Sequence, residues 1–587
     1  MKITYDKVSS YTKEPVFFLL TNNGNYFLSE IDSKYQGFFY YKNGRMFKII
    51  DSISINKDVA EIKNNFFNVQ QKRRSLSESF WLYNEVLIYE QNKAQEFELL
   101  LDVKESYDNR AWGRYYEVLG DVDGDIVIKF TKKTDSKEDN SNNVKEYELY
   151  LVIKGDRLEY KKTDKWIKKN YSFDKKRNSP DERYVYSCLK IKSKTAVFSV
   201  SDKLDKAIEE SEYVFDNLKE IKNKMKENHK PLIKDIKHKE LELAYKSALH
   251  SLDQLRLDDE GIIAGLPWFF QVWSRDELVS LKAFMIDNRF EFVKKILVKN
   301  LNNIQKDGRL LNQSLPNSDK TNADSIGWLF KRIEDYENLK GFSKEEIDLI
   351  KEKLAYSIDN IKKNYMENGL IRNNPLETWM DSEWSSDNRN GFRIEIQALF
   401  LNMLKFAYKL TRKKEYRAEE GRLKGKVRKE FFKNSVLIDG LNDEVIRPNL
   451  FIASYIYPQI LKREEWAECF KIALDKLWLE WGGLSTMDKS NYLFCKQCTG
   501  EIPKSYHRGD SWFWINNLAA LMMYKTDKIA FKEYIEKIIK ADTEEIFLKG
   551  ITGAHSELSS AEKLESSGCL NQAWSNAMFI ELVNEIN

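Results

Sequence analysis

The chain has 587 residues, 42% of them hydrophobic and 32% charged, with 95 Lys and Arg against 92 Asp and Glu for a formal net charge of +3. That balance argues against a nucleic-acid or membrane-surface partner, and the length allows two to four domains with a large core. Five cysteines do not make a disulfide framework, no stretch approaches the roughly 18 apolar residues of a membrane span, and the N-terminal MKITYDKVSS lacks an apolar secretory core, so a cytoplasmic location is expected.

Residues 1–203 read as β structure. Runs such as VFFLL (16–20), GFFYY (37–41), FELLL (97–101), DIVIKF (125–130), YELYLVI (147–153) and TAVFSV (195–200) are rich in β-branched and aromatic residues. Asn22-Asn23-Gly24-Asn25, Asn43-Gly44 and Asp123-Gly124 are turn signals between such runs, and the polar stretch Lys132–Lys145 is expected to be a solvated hairpin loop. Many short strands without helical patterning predict an antiparallel β-sandwich.

From residue 204 the pattern turns helical. A charged segment, 204–235, is expected to be a linker helix packed on the β domain. About twelve helical patterns then fill residues 236–587. One of them shows the logic well. Ser343 and Glu346 form a capping box, and Ile347, Ile350, Leu354, Ile358, Ile361 and Tyr365 make one apolar stripe at helical spacing. Twelve helices suggest six hairpins closed into an (α/α)6 barrel. The loops before every second helix carry the unusual residues: GLPWFFQVWSRD, NSDKTNAD, ETWMDSEW…RNGFRIE, DEVIRPN, SYHRGDSWFW and GAHSELSS. In a barrel of hairpins alternate loops open on one face, so this chemistry would gather in one cleft.

The stretch 261–277, GIIAGLPWFFQVWSRDE, pairs apolar residues with two charges. Trp268, Phe269, Phe270 and Trp273 offer flat apolar surface, and Arg275 and Asp276 a donor and an acceptor at its edge. A sugar ring needs both, because it stacks its C–H face and hydrogen-bonds its hydroxyls. The plainer alternative, a helix start with a satisfied salt bridge, stays open on these residues alone. No phosphate loop, dinucleotide fingerprint, Ser-His-Asp spacing or convincing metal set is present. Cys495 and Cys498 form a lone CxxC, for which packed thiols are the simpler reading. What remains is carboxylates in aromatic loops, and a pair of them across a cleft is what glycoside hydrolysis requires. Asp381 follows Trp379 and Met380, whose bulk would desolvate it and raise its pKa. Glu557 stands in a His-Ser-Glu-Leu loop. Arg393 and Glu395 could touch a sugar or bridge each other within a helix, and His507 could donate to a hydroxyl or hold its loop. Trp512 and Trp514 are most simply core.

In order along the chain, these motifs resemble the amylo-α-1,6-glucosidase part of glycogen debranching enzymes. The family's IIAGxPWFxxWGRD is similar to IIAGLPWFFQVWSRD at 262–276, its Asp-to-Trp segment to NADSIGW at 322–328, and its TWMD to Thr378–Asp381. IEIQAL (394–399), RPN (447–449), YHRGDSWFW (506–514) and GCLNQAWS (568–575) complete the series, with Ser556-Glu557 before the last. LLTNNGNYF (19–27), KYQGFF (34–39) and YSFDKKRNSPDERYVYS (171–187) are more weakly similar to that family's β-sandwich. The resemblance implies a β-sandwich at 1–203, an (α/α)6 catalytic barrel at 236–587, and inverting hydrolysis of an α-glucan at α-1,6 branch points without metal or cofactor. It places the general acid on Asp381 and the general base on Glu557. Trp268, Trp273, Arg275, Asp276, Asp324, Trp328, Trp379, Arg393, Glu395, His507 and Trp512 would line the sugar site. Ser274, Arg508, Asp510, Ser511 and Phe513 depart from the family pattern, which puts linkage preference in question. The alternatives are a glucoamylase-like exo-α-1,4-glucosidase and a non-catalytic glucan-binding protein.

Overall fold

The computed structural model describes all residues except 1, 6–7, 12–15, 56–58, 109, 123–124, 134–145, 229–235, 237, 259, 317, 319 and 442. The expected turn at Asp123-Gly124 and all but the first two residues of the expected loop Lys132–Lys145 therefore lie outside the described residues; Lys132 itself ends the strand Asp125–Lys132. The chain forms two compact units, Met1–Ile233 with Ile551–Gly553, and Lys234–Gly550 with Ala554–Asn587.

In the first unit, fifteen strands among the described residues belong to one hydrogen-bonded network. Its pairings are antiparallel apart from Lys2–Tyr5 with Glu61–Asn64. The network forks because two strands are very long. Val86–Glu105 pairs with Glu182–Ser201 over most of its length, with Leu76–Tyr83 near its start and with Arg45–Ser54 near its end. Register shifts after Glu90 and Leu99 interrupt the ladder there, and such bulges bend a strand and re-aim it. The sequence shows the short runs but not that a single strand serves two partners in succession. The Asn-Gly turns behave as expected. Asn23 (φ 44°) with Gly24 (φ 84°) and Asn43 (φ 50°) with Gly44 (φ 76°) each place two left-handed residues between paired strands, the backbone a two-residue hairpin requires. Phe18, Phe27, Phe38, Leu99, Leu101, Ile128 and Phe198 are among the residues of the apolar core.

A short helix, α1 (Ser172–Lys176), precedes the last strand. The expected linker helix is two helices, α2 (Leu204–Asp216) and α3 (Leu218–Asn228), with 229–235 outside the described residues. The break falls at Asn217, whose side-chain amide donates to the Tyr213 carbonyl at 2.8 Å and so competes with the backbone ladder. Ala207 of α2 packs with Val127 and Val152, and Val214 and Ile221 pack with Trp81, Ile88 and Val197.

The second unit is helical. It comprises α4 (Lys239–Asp253), α5 (Ser274–Ile286), α6 (Phe290–Asn302), α7 (Ser325–Leu339), α8 (Lys344–Tyr365), α9 (Ile394–Thr411), α10 (Lys414–Phe431), α11 (Asn449–Ile456), α12 (Arg463–Leu477), α13 (Phe513–Asp527), α14 (Lys532–Leu548) and α15 (Ala573–Ile586). The capping box of α8 forms: Ser343 Oγ accepts from the Glu346 N–H at 3.2 Å, and Glu346 Oε2 accepts from the Ser343 N–H at 2.8 Å. Helices α5, α7, α9, α11, α13 and α15 touch in that cyclic order, with α15 returning to α5. The others pack on them: α6 on α5 and α7, α8 and α10 on α9, α12 and α14 on α13, α4 on α15. Burial follows this division. Helix α10 buries only a stripe, Tyr416, Leu423, Val427 and Phe431, whereas α13 is buried on nearly every side, as a helix with neighbours all round must be. No helix among the described residues is long and apolar enough to cross a membrane.

The long connections are those leading into α5, α7, α9, α11, α13 and α15. Short two-stranded ribbons join one to another. Gly265–Leu266 pairs with Asn571–Gln572, Val272–Trp273 with Gln313–Leu315, and Ser511–Trp512 with Leu558–Ser559. An isolated bridge joins Arg393 to Gly440. The motif-bearing loops therefore meet at one end of the helical unit.

Candidate active site

Helix α5 begins at Ser274 and puts Arg275, Asp276 and Glu277 in its first turn, where the helix N-terminus favours carboxylates. Arg275 is buried. Its Nε donates to both carboxylate oxygens of Asp324, the residue capping α7, at 2.9 and 2.8 Å. Its Nη1 reaches Asp381 Oδ2 at 3.4 Å, and its Nη2 has no partner among the described residues. An orphaned buried donor is rare and calls for a ligand or water. Asp276 accepts from Gln572 Nε2 at 2.9 Å. Burial pushes its carboxyl up to about 7 against the pull of Arg275, and the Asp381 charge adds to the rise.

Asp381 lies in the connection before α9. Its side chain keeps 30% of its surface exposed, so it sits in dense surroundings with one accessible face. Those surroundings raise its pKa by desolvation; Arg275 draws it back and Asp324 pushes it up. Glu557 is only 2% exposed. Its Oε1 accepts from the Tyr506 hydroxyl at 2.5 Å and its Oε2 from the Cys569 N–H at 2.9 Å. Gly568 (φ +67°) is needed beside it, since a Cβ there would stand 2.1 Å from Glu557 Oε2. Burial pushes Glu557 up to about 8; the two hydrogen bonds oppose this, and the charges of Asp276 and Asp381 reinforce it. Asp276, Asp381 and Glu557 are thus electrostatically coupled within one cluster.

Tyr506 stabilises the charged form of Glu557, so removing its hydroxyl must raise the Glu557 pKa. If activity needs Glu557 ionised, Tyr506→Phe is expected to move the acidic limb of the kcat/KM profile to higher pH. An unmoved limb would show that Glu557 does not set it.

Aromatic rings surround these carboxylates. Trp379 meets His507, Trp512, Trp514 and Trp574 edge-on at 5.5, 5.5, 5.0 and 6.4 Å between centroids. Its indole N–H donates to Asn449 Oδ1 at 2.6 Å, and that of Trp512 donates to the Tyr506 carbonyl at 2.7 Å. His507 stacks on Trp512 at 5.0 Å. Its Nδ1 lies 2.8 Å from Ser382 Oγ, and its Nε2 has no partner among the described residues. Burial lowers the His507 pKa far below its usual value, and Arg508, Arg447, Arg389 and Arg275 lower it further. The ring is neutral and offers one donor and one acceptor.

Other expected site residues are engaged elsewhere. The guanidinium of Arg393 is used up within its own loops, on Asp439 at 3.0 Å, on Asp443, and on the carbonyls of Arg389 and Asn390. Glu395 pairs with Arg389 at 2.7 and 3.2 Å. Trp328 packs with Tyr455 and with Arg332, which are neighbours of helix packing. Trp268 is buried, and Trp273 is half-buried with its ring edge-to-face on Phe269 at 6.2 Å.

Several organising residues escaped the sequence reading. Asp439 is held at about 2 by the charges of Arg389, Arg393 and Arg447, which outweigh its burial, and Asn449 donates to it at 2.6 Å. Arg389 links it to Glu395 and to Thr378 Oγ1, beside Trp379, at 2.8 Å. This network braces the segment that carries Asp381. Arg389 lies in a motif loop and Asn449 in the RPN motif that opens α11, a usable signal, but Asp439 has none.

A profile of the amylo-alpha-1,6-glucosidase family matches residues 243–581, more than half of the chain. The chain belongs to the amylo-alpha-1,6-glucosidase family. Each residue of the cluster, from Arg275 to Gln572, falls within the matched range. A solved bacterial glucoamylase complexed with acarbose aligns over 99% of this chain and 94% of its own at 12% identity, with a TM-score of 0.61; this establishes a shared fold. A glycosidase variant in complex with glucose aligns over 60% of this chain and 99% of its own at 10% identity and a TM-score of 0.46. No curated protein sequence matches.

The positions at which this amylo-alpha-1,6-glucosidase family member departs from the family pattern are structurally engaged. Ser274 Oγ donates to the Leu311 carbonyl at 2.5 Å. Arg508 binds Asp387 Oδ2 at 2.8 Å and the Ser382 carbonyl at 2.7 Å, tying down the loop that follows Asp381. Asp510 accepts from Ser505 Oγ at 2.7 Å, and burial pushes its carboxyl up to about 7. Phe513 packs on His555 at 4.5 Å.

Proposed function

We propose that the protein is an inverting, exo-acting α-glucosidase that releases glucose from α-1,6 branch points of a glycogen-like polymer in the cytoplasm. Residues 236–587 would be its (α/α)6 catalytic barrel, a reading supported by the cyclic contact order of the six central helices. Residues 1–203 would be a β-sandwich and 204–235 its linker. The observation that carries the proposal is the coupling of a partly accessible, desolvated Asp381 to a buried Glu557 beside an orphaned Arg275 donor.

Asp381 is the general acid. Desolvation raises its pKa and so favours the protonated form, and that proton passes to the glycosidic oxygen as the bond to the anomeric carbon breaks. Glu557 is the general base. A water molecule forms the new bond to the anomeric carbon from the opposite face and gives its proton to Glu557. A base that binds its proton near the working pH is well matched to this transfer. The reaction closes with each carboxyl exchanging one proton with solvent. Arg275 Nη2, Asp276 and His507 Nε2 hold hydroxyls of the terminal glucose, while Trp273, Trp379 and Trp512 provide apolar surface. Asp324 holds Arg275 in place. Inversion asks for about 6.5–9.5 Å between the carboxyl groups, room for that water.

Glucose release from a singly branched α-1,6-glucosyl oligosaccharide and from linear maltooligosaccharide tests the substrate assignment. Release from the branched substrate is expected. Release mainly from the linear one would make the protein a glucoamylase-like enzyme, and binding without release from either would make it a glucan-binding protein.

A further inference from the structure

We infer that His555 is a positioning residue for Glu557, acting as a cation held between two carboxylates that fixes the turn from which Glu557 projects. The inference rests on the reading of Glu557 as the general base. His555 stands two residues before it and is fully buried. Its Nδ1 lies 2.7 Å from Glu545 Oε2 and its Nε2 3.5 Å from Asp542 Oδ1. Both carboxylates come from α14, three residues apart and so on one face. Only the protonated ring donates at both nitrogens. Burial opposes that charge, but the hydrogen bonds and charges of the two carboxylates win and push His555 up to about 9. Asn517 Nδ2 is 3.4 Å from Nε2, and the rings of Phe513 and Phe579 close the remaining sides.

The dependence is mutual. Apart from this ion pair, neither oxygen of Asp542 has a hydrogen-bond partner among the described residues. Glu545 also takes the hydroxyl of Ser556 at 2.6 Å and that of Ser566 at 2.5 Å on Oε1. The His555 carbonyl accepts from the Gln572 N–H at 2.9 Å, and the side chain of the same Gln572 donates to Asp276. Helix α14 therefore grips residues 555 and 556 by their side chains, and Glu557 follows directly, with its N–H on the Cys569 carbonyl at 2.8 Å. None of the proposed proton transfers involves His555. A buried charged network of this kind sets where the base stands.

The test measures kcat and KM of His555→Gln and Ser556→Ala on the branched oligosaccharide and on α-glucosyl fluoride, with Glu557→Gln alongside. For His555→Gln, kcat is expected to fall about 10- to 100-fold on both substrates, the scale of an ångström-level misplacement, with KM within about twofold. Ser556→Ala, which removes one hydroxyl and leaves the cation in place, is expected to lower kcat several-fold in the same pattern. Wild-type kcat in folded His555→Gln, or a change confined to KM, would overturn the inference. Should His555→Gln not fold, Ser556→Ala decides, and wild-type kcat there would likewise overturn it. If Glu557→Gln itself remains active, the general-base reading fails instead, so the two failures are distinct.

Discussion

Asp381→Asn is expected to lower kcat on the branched oligosaccharide by about 10³-fold while leaving KM within a few-fold, the range over which general acid catalysis contributes. The amide keeps the shape of the side chain and can still accept from Arg275 Nη1, which lies 3.4 Å from Asp381 Oδ2. It has no proton of suitable acidity for the departing oxygen. The loss should therefore depend on the leaving group. Fluoride departs without protonation, so α-glucosyl fluoride should be turned over by Asp381→Asn to within about tenfold of the native rate. Equal losses on both substrates would show that Asp381 acts otherwise than as a proton donor.

Glu557→Gln should behave differently. Its expected loss is about 10³- to 10⁴-fold in kcat on both substrates, because each needs an activated water whatever group departs. The substitution is compatible with the fold. The Gln oxygen can accept from the Cys569 N–H, and its NH₂ can donate to the Tyr506 oxygen, which is free to turn from donor to acceptor. Substrate binding to this variant would show an intact site, and retained turnover would remove Glu557 from the mechanism. The contrast between the two variants assigns acid and base separately.

Local patterns in the sequence carried far into this structure, and long-range pairings did not. The stripe and capping box of α8 are local, and they appear as read. So does the alternation of short and long connections, because it reflects how hairpins are joined. The family motifs located Arg275, Asp276, Asp381 and Glu557, which the structure couples electrostatically. By contrast, Arg389 and Asp439 are 50 residues apart and His507 and Ser382 are 125 apart; no periodicity links such partners. Arg393 shows the difficulty. It stands beside Glu395 in a motif, yet the arginine that pairs with Glu395 is Arg389, four residues earlier in the connection before α9. In the sheet unit the strands were legible as runs, but the forking of Val86–Glu105 between partners was not, since bulges leave no reliable mark in composition.

The most direct test of the two-carboxylate mechanism is the anomer of glucose first released, followed by proton NMR before mutarotation equilibrates it. If Glu557 directs water to the face opposite the bond that Asp381 protonates, β-glucose appears first from an α-linked substrate. Initial α-glucose would mean retention through a glucosyl–enzyme intermediate, and would contradict the assignment of Glu557 as a base acting on water.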